Sequence, residues 1–166
     1  VDVNTIPASV AYMTPPREMA SPLPATNAGR RIGLVWAGNP RHPNDHNRSC
    51  SFHEIQALFS LPNIEWVNLQ VGKQTEKAEV RSAALTLPKK PLTNFAETAA
   101  VIHKLDLVIS VDTSVAHLAG ALGHPVWILL PHAPDWRWMT ERSDSPWYPT
   151  ARLFRQSIPG DWKAVI

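Results

Sequence analysis

A single cysteine, Cys50, stands in the 166 residues, so no internal disulfide framework holds this chain together. It has no neighbouring motif and reads as a buried, inert thiol. No apolar run approaches the ~18 residues of a membrane span. Val1 to Ala28 lack the basic start and apolar middle of a signal peptide, and the expected location is the cytoplasm. The 16 basic and 14 acidic residues are dispersed, which leaves no basic stripe for nucleic acid. Neither Gly-x-x-x-x-Gly-Lys-Ser/Thr nor Gly-x-Gly-x-x-Gly occurs, against a P-loop NTPase and a dinucleotide dehydrogenase. No Gly-x-Ser-x-Gly elbow supports a hydrolase. His42, Asp45 and His46 match no common metal spacing, so no metal and no cofactor are expected.

What is present is proline, 16 residues, and tryptophan, seven. Pro7, Pro15, Pro16, Pro22 and Pro24 fall within residues 1–29, which show no helical or strand period and read as a linker or wrapping tail. Residues 30–166 suffice for one domain, at about 100 to 200 residues each. A start without Met in mid-loop marks the chain as an expected fragment whose N-terminal part lies elsewhere. Trp127, Trp136, Trp138, Trp147 and Trp162 all fall in the last quarter and are expected in the core, since a large aromatic contributes mainly by burial.

Strands and helices alternate. Arg31 to Trp36 is apolar enough for a strand buried on both faces. The loop Ala37 to Ser49 follows, where Gly38 permits a tight turn and Pro40 and Pro43 forbid helix. Ser51 and Glu54 have capping-box spacing and open a helix through about Ser60. Glu65 to Gln70 is the second strand. Residues 76–82 form at most a helical turn or two, and 83–87 a short third strand. Asn94 and Glu97 cap a helix from Phe95 to Lys104. Leu107 to Val111 is another buried strand, followed by a helix to Leu122 with Gly123 as its C-cap. Pro125 to Leu130 and Ala151 to Arg155 are the last strands, separated by a long loop with one helical turn near Trp138. Asp161 caps a final helix running to Ile166. The alternation predicts an α/β, Rossmann-like three-layer domain with a parallel sheet.

Parallel strands deliver their following loops to one edge, where ligands of open α/β sheets bind. Gly38 to Arg48, Gln70 to Lys73, Asp112 to His117 and Pro131 to Tyr148 should meet there. The first loop brings Gly38, Asn39 and Arg48; the second brings Gln70 and Lys73; the last brings Asp135. On the helix after Asp112, Val115, Leu118, Ala119 and Leu122 form the core stripe, while Thr113 and His117 point away from it, about 40° apart. Thr113 and Ser114 cap the helix and can also bond a diphosphate, whose charge the free N–H groups favour. Asp112 repels phosphate, and its expected work is capping, bonding a sugar hydroxyl or orienting His117.

The segments Gly33-Leu-Val-Trp-Ala-Gly-Asn-Pro40, Arg48-Ser49, Leu69-Gln70, Phe95-Ala-Glu-Thr-Ala99, Leu105 to Gly120 and Pro134-Asp-Trp-Arg-Trp138 together resemble the C-terminal domain of bacterial tetratricopeptide-repeat glycosyltransferases. They are also similar to the donor domain of the heptosyltransferase family (family 9) and, more distantly, to that of the protein O-GlcNAc transferases. The resemblance implies one half of a GT-B fold, binding the nucleotide-sugar donor of an inverting, metal-independent glycosyltransferase. The family's Asp-Thr-Gly-x-x-His motif maps onto Asp112, Thr113, Ser114 and His117, with Ser114 in place of Gly, and its first-loop basic residue onto Arg48. Asn94 and Phe95 would lie near the nucleobase. The catalytic base would come from an N-terminal domain, so the expected partners are a nucleotide-sugar and the N-terminal domain and repeats of the same protein. The isolated chain would then be inactive. The alternative is a non-catalytic GT-B-like interaction module beside repeats.

Overall fold

A computed structural model describes residues 2–7, 11–15, 22–26, 29–76, 80 and 85–166. Five parallel strands form one sheet in the order β2-β1-β3-β4-β5, with β1 Arg30–Val35, β2 Ile64–Asn68, β3 Leu107–Val111, β4 Val126–Leu130 and β5 Ala151–Arg155. The helices are α1 Asp45–Arg48, α2 Phe52–Ile55, α3 Phe95–Ile102 and α4 Ser114–Ala121. The α/β three-layer architecture expected from the alternation is the one observed.

Because side chains alternate across a strand, β3 feeds two cores. Val108 packs with Val101, Ala116 and Ala119 of α3 and α4, together with Val126, Ile128 and Trp138. Ile109 and Val111 face the other way, with Trp36, Phe52, Ile55 and Trp66. This second core contains a continuous aromatic line, in which ring centroids run Trp36 to Phe52 at 5.1 Å, Phe52 to Phe59 at 5.8 Å and Phe59 to Trp66 at 5.8 Å. Of the tryptophans, Trp36, Trp66, Trp138 and Trp162 are buried, but Trp127 and Trp136 are 41% and 66% exposed. The expectation of uniform burial is therefore corrected.

Local signals act as their chemistry dictates. Ser51 and Glu54 form a complete capping box, and the helix they open tightens into a 3-10 segment, Gln56–Ser60. Asn94 caps α3 by accepting from the Glu97 N–H. Gly123 takes φ +66° after α4, a conformation that disfavours side chains. Two expectations change. The first loop does contain helix, α1, because Pro43 precedes it and proline is tolerated ahead of a helix. The final helix is a single turn in which Asp161 accepts from the Ala164 N–H; one turn fixes several dihedrals for few hydrogen bonds, and Trp162 is held in the core. Of the expected segments at 76–82 and 83–87, residues 77–79 and 81–84 lie outside the described residues. Thr86 makes a one-residue parallel bridge to Val67. At the opposite edge Asp144 bridges Arg152.

The described N-terminal residues lie against the domain. Tyr12 and Met13 N–H groups both donate to the Ala121 carbonyl, and Leu23 is 1% exposed within the α3/α4 core.

Removing the middle ring of the aromatic line leaves a cavity that Trp36 and Phe59 cannot both close. Phe52→Ala should cost about 3–5 kcal/mol of unfolding free energy, measured by urea denaturation followed by tryptophan fluorescence. A loss under ~1 kcal/mol contradicts the packing described.

Candidate functional site

From β1 the chain crosses to β2 on one side, and it later returns to β3 on the other. The C-terminal ends of β1 and β3 thus flank a topological switch point, the crevice where open α/β sheets take ligands. A cleft of about 1010 Å³ opens there, lined by Gly38, Asn39, Arg48, Gln70, Lys73, Thr113 and Ser114 among others. A smaller pocket of about 240 Å³ adjoins it through His42 and Arg48, and adds Asp112, His117, Asp135 and Arg137.

Arg48 divides the two. Its Nε donates to Asp45 Oδ1 at 3.3 Å and its NH1 to the Asp112 carbonyl at 3.0 Å, so the guanidinium bridges the first loop to the end of β3. Asp45 is itself buried and takes a second hydrogen bond, from the Ser49 hydroxyl at 3.0 Å. Ser49 in turn accepts from the Gly38 N–H at 2.8 Å. A Cβ on Gly38 would press on Asp45 Oδ1 and on NH2 of Arg48, so this glycine is the clearance that lets the arginine lie flat.

Gln70 is buried and, as the convergence of the loops predicts, lines the larger cleft, where its side chain organises the backbone. Its Oε1 accepts from the Trp36 and Ala37 N–H groups at 3.1 and 2.9 Å, and its Nε2 donates to the Ala37 and Val71 carbonyls at 3.0 and 3.2 Å. The side chain is committed to backbone.

At the opening of α4, Thr113 occupies the N-cap position but its hydroxyl makes no capping bond. Ser110 donates to the Val111 carbonyl at 2.7 Å, so the 2.9 Å contact between the two hydroxyls has Thr113 as donor and Ser110 as acceptor. That corrects the expected capping by Thr113. The first N–H groups of α4 have no partner within the helix, and the exposed Ser114 stands beside them at the cleft.

His117 leaves the core stripe as its helical position requires. Its ring stacks on buried Trp138 at 5.0 Å and 22°, and meets Tyr148 edge-on at 5.7 Å. Nδ1 lies 3.0 Å from the Tyr148 hydroxyl. Nε2 lies 3.8 Å from Asp112 Oδ1, a spacing that orients charge without a direct hydrogen bond. Burial pushes the imidazole pKa down, partly opposed by the Asp112 charge; His117 is neutral at pH 7. Across the pocket, burial raises the Asp135 carboxyl, but hydrogen bonds from the Arg137 backbone and guanidinium more than offset this and hold it low. Arg137 also lies over the Trp136 ring at 4.6 Å.

Arg48, Asp112, His117 and Asp135 are therefore brought together, with Gly38, Asn39, Lys73, Thr113 and Ser114 on the larger cleft. Asn94 and Phe95 line neither, and Asn94 Oδ1 is occupied by the cap of α3. Sequence reasoning missed Arg137 and Tyr148. Both sit on the loop after β4, and the Trp-Arg-Trp pattern was the only local signal for the first. Among the described residues no cluster of three or more His, Cys, Asp or Glu could hold a metal ion, and no helix is long and apolar enough to cross a membrane.

Residues 65–138 match glycosyltransferase family 9 (heptosyltransferase). The matched stretch runs from β2 into the loop after β4, including Asp112, Thr113, Ser114, His117, Asp135 and Arg137, whereas Gly38, Asn39 and Arg48 precede it and Tyr148 follows it. Protein FlbA of Caulobacter vibrioides is 28% identical over 166 residues, covering 96% of this chain. The chain spans 26% of that relative's length. The family match supports a glycosyltransferase family 9-like domain.

The pKa of His117, and of His124, which burial also lowers, has a consequence for stability. A histidine with a depressed folded pKa binds fewer protons folded than unfolded between the two pKa values, so stability rises with pH there. Urea midpoints should fall as pH drops from about 8 to about 5, and His117→Gln should flatten part of that slope. An unchanged slope contradicts the neutral, packed imidazole.

Proposed function

We propose that this chain is the nucleotide-sugar donor-binding domain of an inverting, metal-independent glycosyltransferase, completed by an N-terminal acceptor domain and tetratricopeptide repeats in a cytoplasmic protein. The observation that carries the reading is the convergence of Arg48, Arg137, neutral His117 and the open N-terminus of α4 on the crevice between β1 and β3. Two guanidiniums in one concave site suit a diphosphate, whose oxygens match the planar fork of arginine. Backbone N–H groups at a helix start add fixed donors at the same place. The family 9 match, the larger part of which surrounds β3 and α4, supports the same chemistry.

In the transfer step an acceptor hydroxyl would displace the nucleoside diphosphate from the sugar. Negative charge grows on the leaving diphosphate, and preorganised donors aimed at developing charge lower such a barrier most. The metal-independent reading follows from this division of labour: arginines and N–H groups neutralise the leaving group. The mostly apolar pocket of about 470 Å³ that continues from Gln70, Val71 and Gly72 toward Leu87 and Leu92 suits the flat face of a base. A general base for the acceptor is assigned to the N-terminal domain.

Calorimetric titration with UDP, GDP, ADP and CDP tests the reading. At least one should bind more tightly than about 1 mM, roughly 4 kcal/mol, and Arg48→Ala should weaken it at least about tenfold, the scale of a charged hydrogen bond. Absence of binding by all four overturns donor binding and favours the interaction-module alternative.

A further inference from the structure

His117 is held from behind by a residue on a different element. Tyr148 belongs to the loop before β5, yet its ring lies against the backbone of α4 at Gly120, where any Cβ would overlap the ring. The helix thus lacks a side chain one turn after His117 at the place where the tyrosine must enter. From there the hydroxyl reaches His117 Nδ1 at 3.0 Å, while Trp138 covers one face of the imidazole at 5.0 Å. Next to Gly120 on the same helix, the Ala121 carbonyl accepts from the Tyr12 backbone N–H at 3.0 Å.

We propose that Tyr148 is a positioning residue that donates its hydroxyl proton to His117 Nδ1 and so holds the imidazole as the neutral Nε2–H tautomer. Proton placement follows from the groups around the ring. The Asp112 carboxylate lies 3.8 Å from Nε2 and draws a hydrogen onto that nitrogen. Asp135 acts in the same sense on the ring's charge and Arg137 in the opposite sense, and Arg48 lines the same pocket. A hydrogen on Nε2 leaves a lone pair on Nδ1, the acceptor that Tyr148 requires. The phenol is kept protonated because burial pushes its pKa up to about 12. The outcome is a neutral donor at Nε2, on the side of the ring that faces Asp112 and the Arg48–Arg137 pocket.

What that donor meets rests on the function proposed above, but the tautomer belongs to the chain alone. Nitrogen-15 NMR of the imidazole, in the whole chain without ligand, reads it directly. The unsubstituted chain should show a protonated Nε2 and an unprotonated Nδ1. Tyr148→Phe keeps the ring in its place against Gly120 and should shift the tautomer ratio at least about threefold, the scale of one neutral hydrogen bond. If the proton resides on Nδ1 in the unsubstituted chain, or the ratio is unmoved in Tyr148→Phe, the proposal is overturned. A merely structural tyrosine would change the thermal midpoint and leave the ratio alone. Binding of the nucleoside diphosphate identified by calorimetry should weaken about three- to tenfold in Tyr148→Phe. A shifted tautomer in a chain that binds no nucleotide upholds the positioning role and removes only the donor-binding reading.

Discussion

A parallel sheet whose chain leaves one strand in two directions has an unavoidable defect, and the site is built around its repair. Where β2 and β3 diverge from the end of β1, the backbone at Trp36 and Ala37 runs past its strand partners, and buried peptide groups without partners are costly. Gln70 answers one side of this gap with four hydrogen bonds to backbone. Arg48 answers the other by donating to the Asp112 carbonyl at the end of β3. Two side chains bond the backbone that lies beyond the reach of the strand ladders, and the crevice opens beside them.

This repair also decides how the charge of the site is arranged. The arginine that fills the gap is itself fixed by buried Asp45, and Gly38 keeps the space above it clear. A guanidinium locked in that way presents its remaining donors without first losing conformational freedom. The second arginine, Arg137, is more exposed and is placed by Asp135 and the face of Trp136. One cation is therefore part of the scaffold and the other part of the surface, with a neutral histidine between them.

The elements were largely legible because burial of a parallel sheet on both faces forces continuous apolar runs. Leu107 to Val111 begins and ends where such a run does, whereas the edge strand Ala151 to Arg155 mixes apolar residues with arginine. Caps were legible for the same kind of reason, since Ser51 and Asn94 act on residues three positions away. The outward turn of His117 followed from helical geometry. What escaped was long-range. The hydrogen bonds of Gln70 span 33 and 34 positions and the contact of Tyr148 spans 31, and no periodicity carries such information. Thr113 was misread for a subtler reason: its hydroxyl bonds Ser110, three residues back, and accepts no bond from the helix N–H groups. Local signals were not always sufficient, since the first loop holds α1 despite Pro40 and Pro43, but contacts between distant elements left no local trace at all.

The single-residue bridges at the two margins of the sheet have a consequence for the behaviour of this chain at high concentration. An unpaired strand edge is a template on which another molecule can extend the ladder. Here Thr86 uses the free backbone groups of Trp66 and Asn68 on β2, and Ser143 with Asp144 does the same beside Leu153 and Arg152 on β5. Each bridge is too short to be a strand and long enough to interrupt one. With Arg152 also placing charge on the β5 margin, both edges of the sheet carry features that oppose extension of the ladder by another chain.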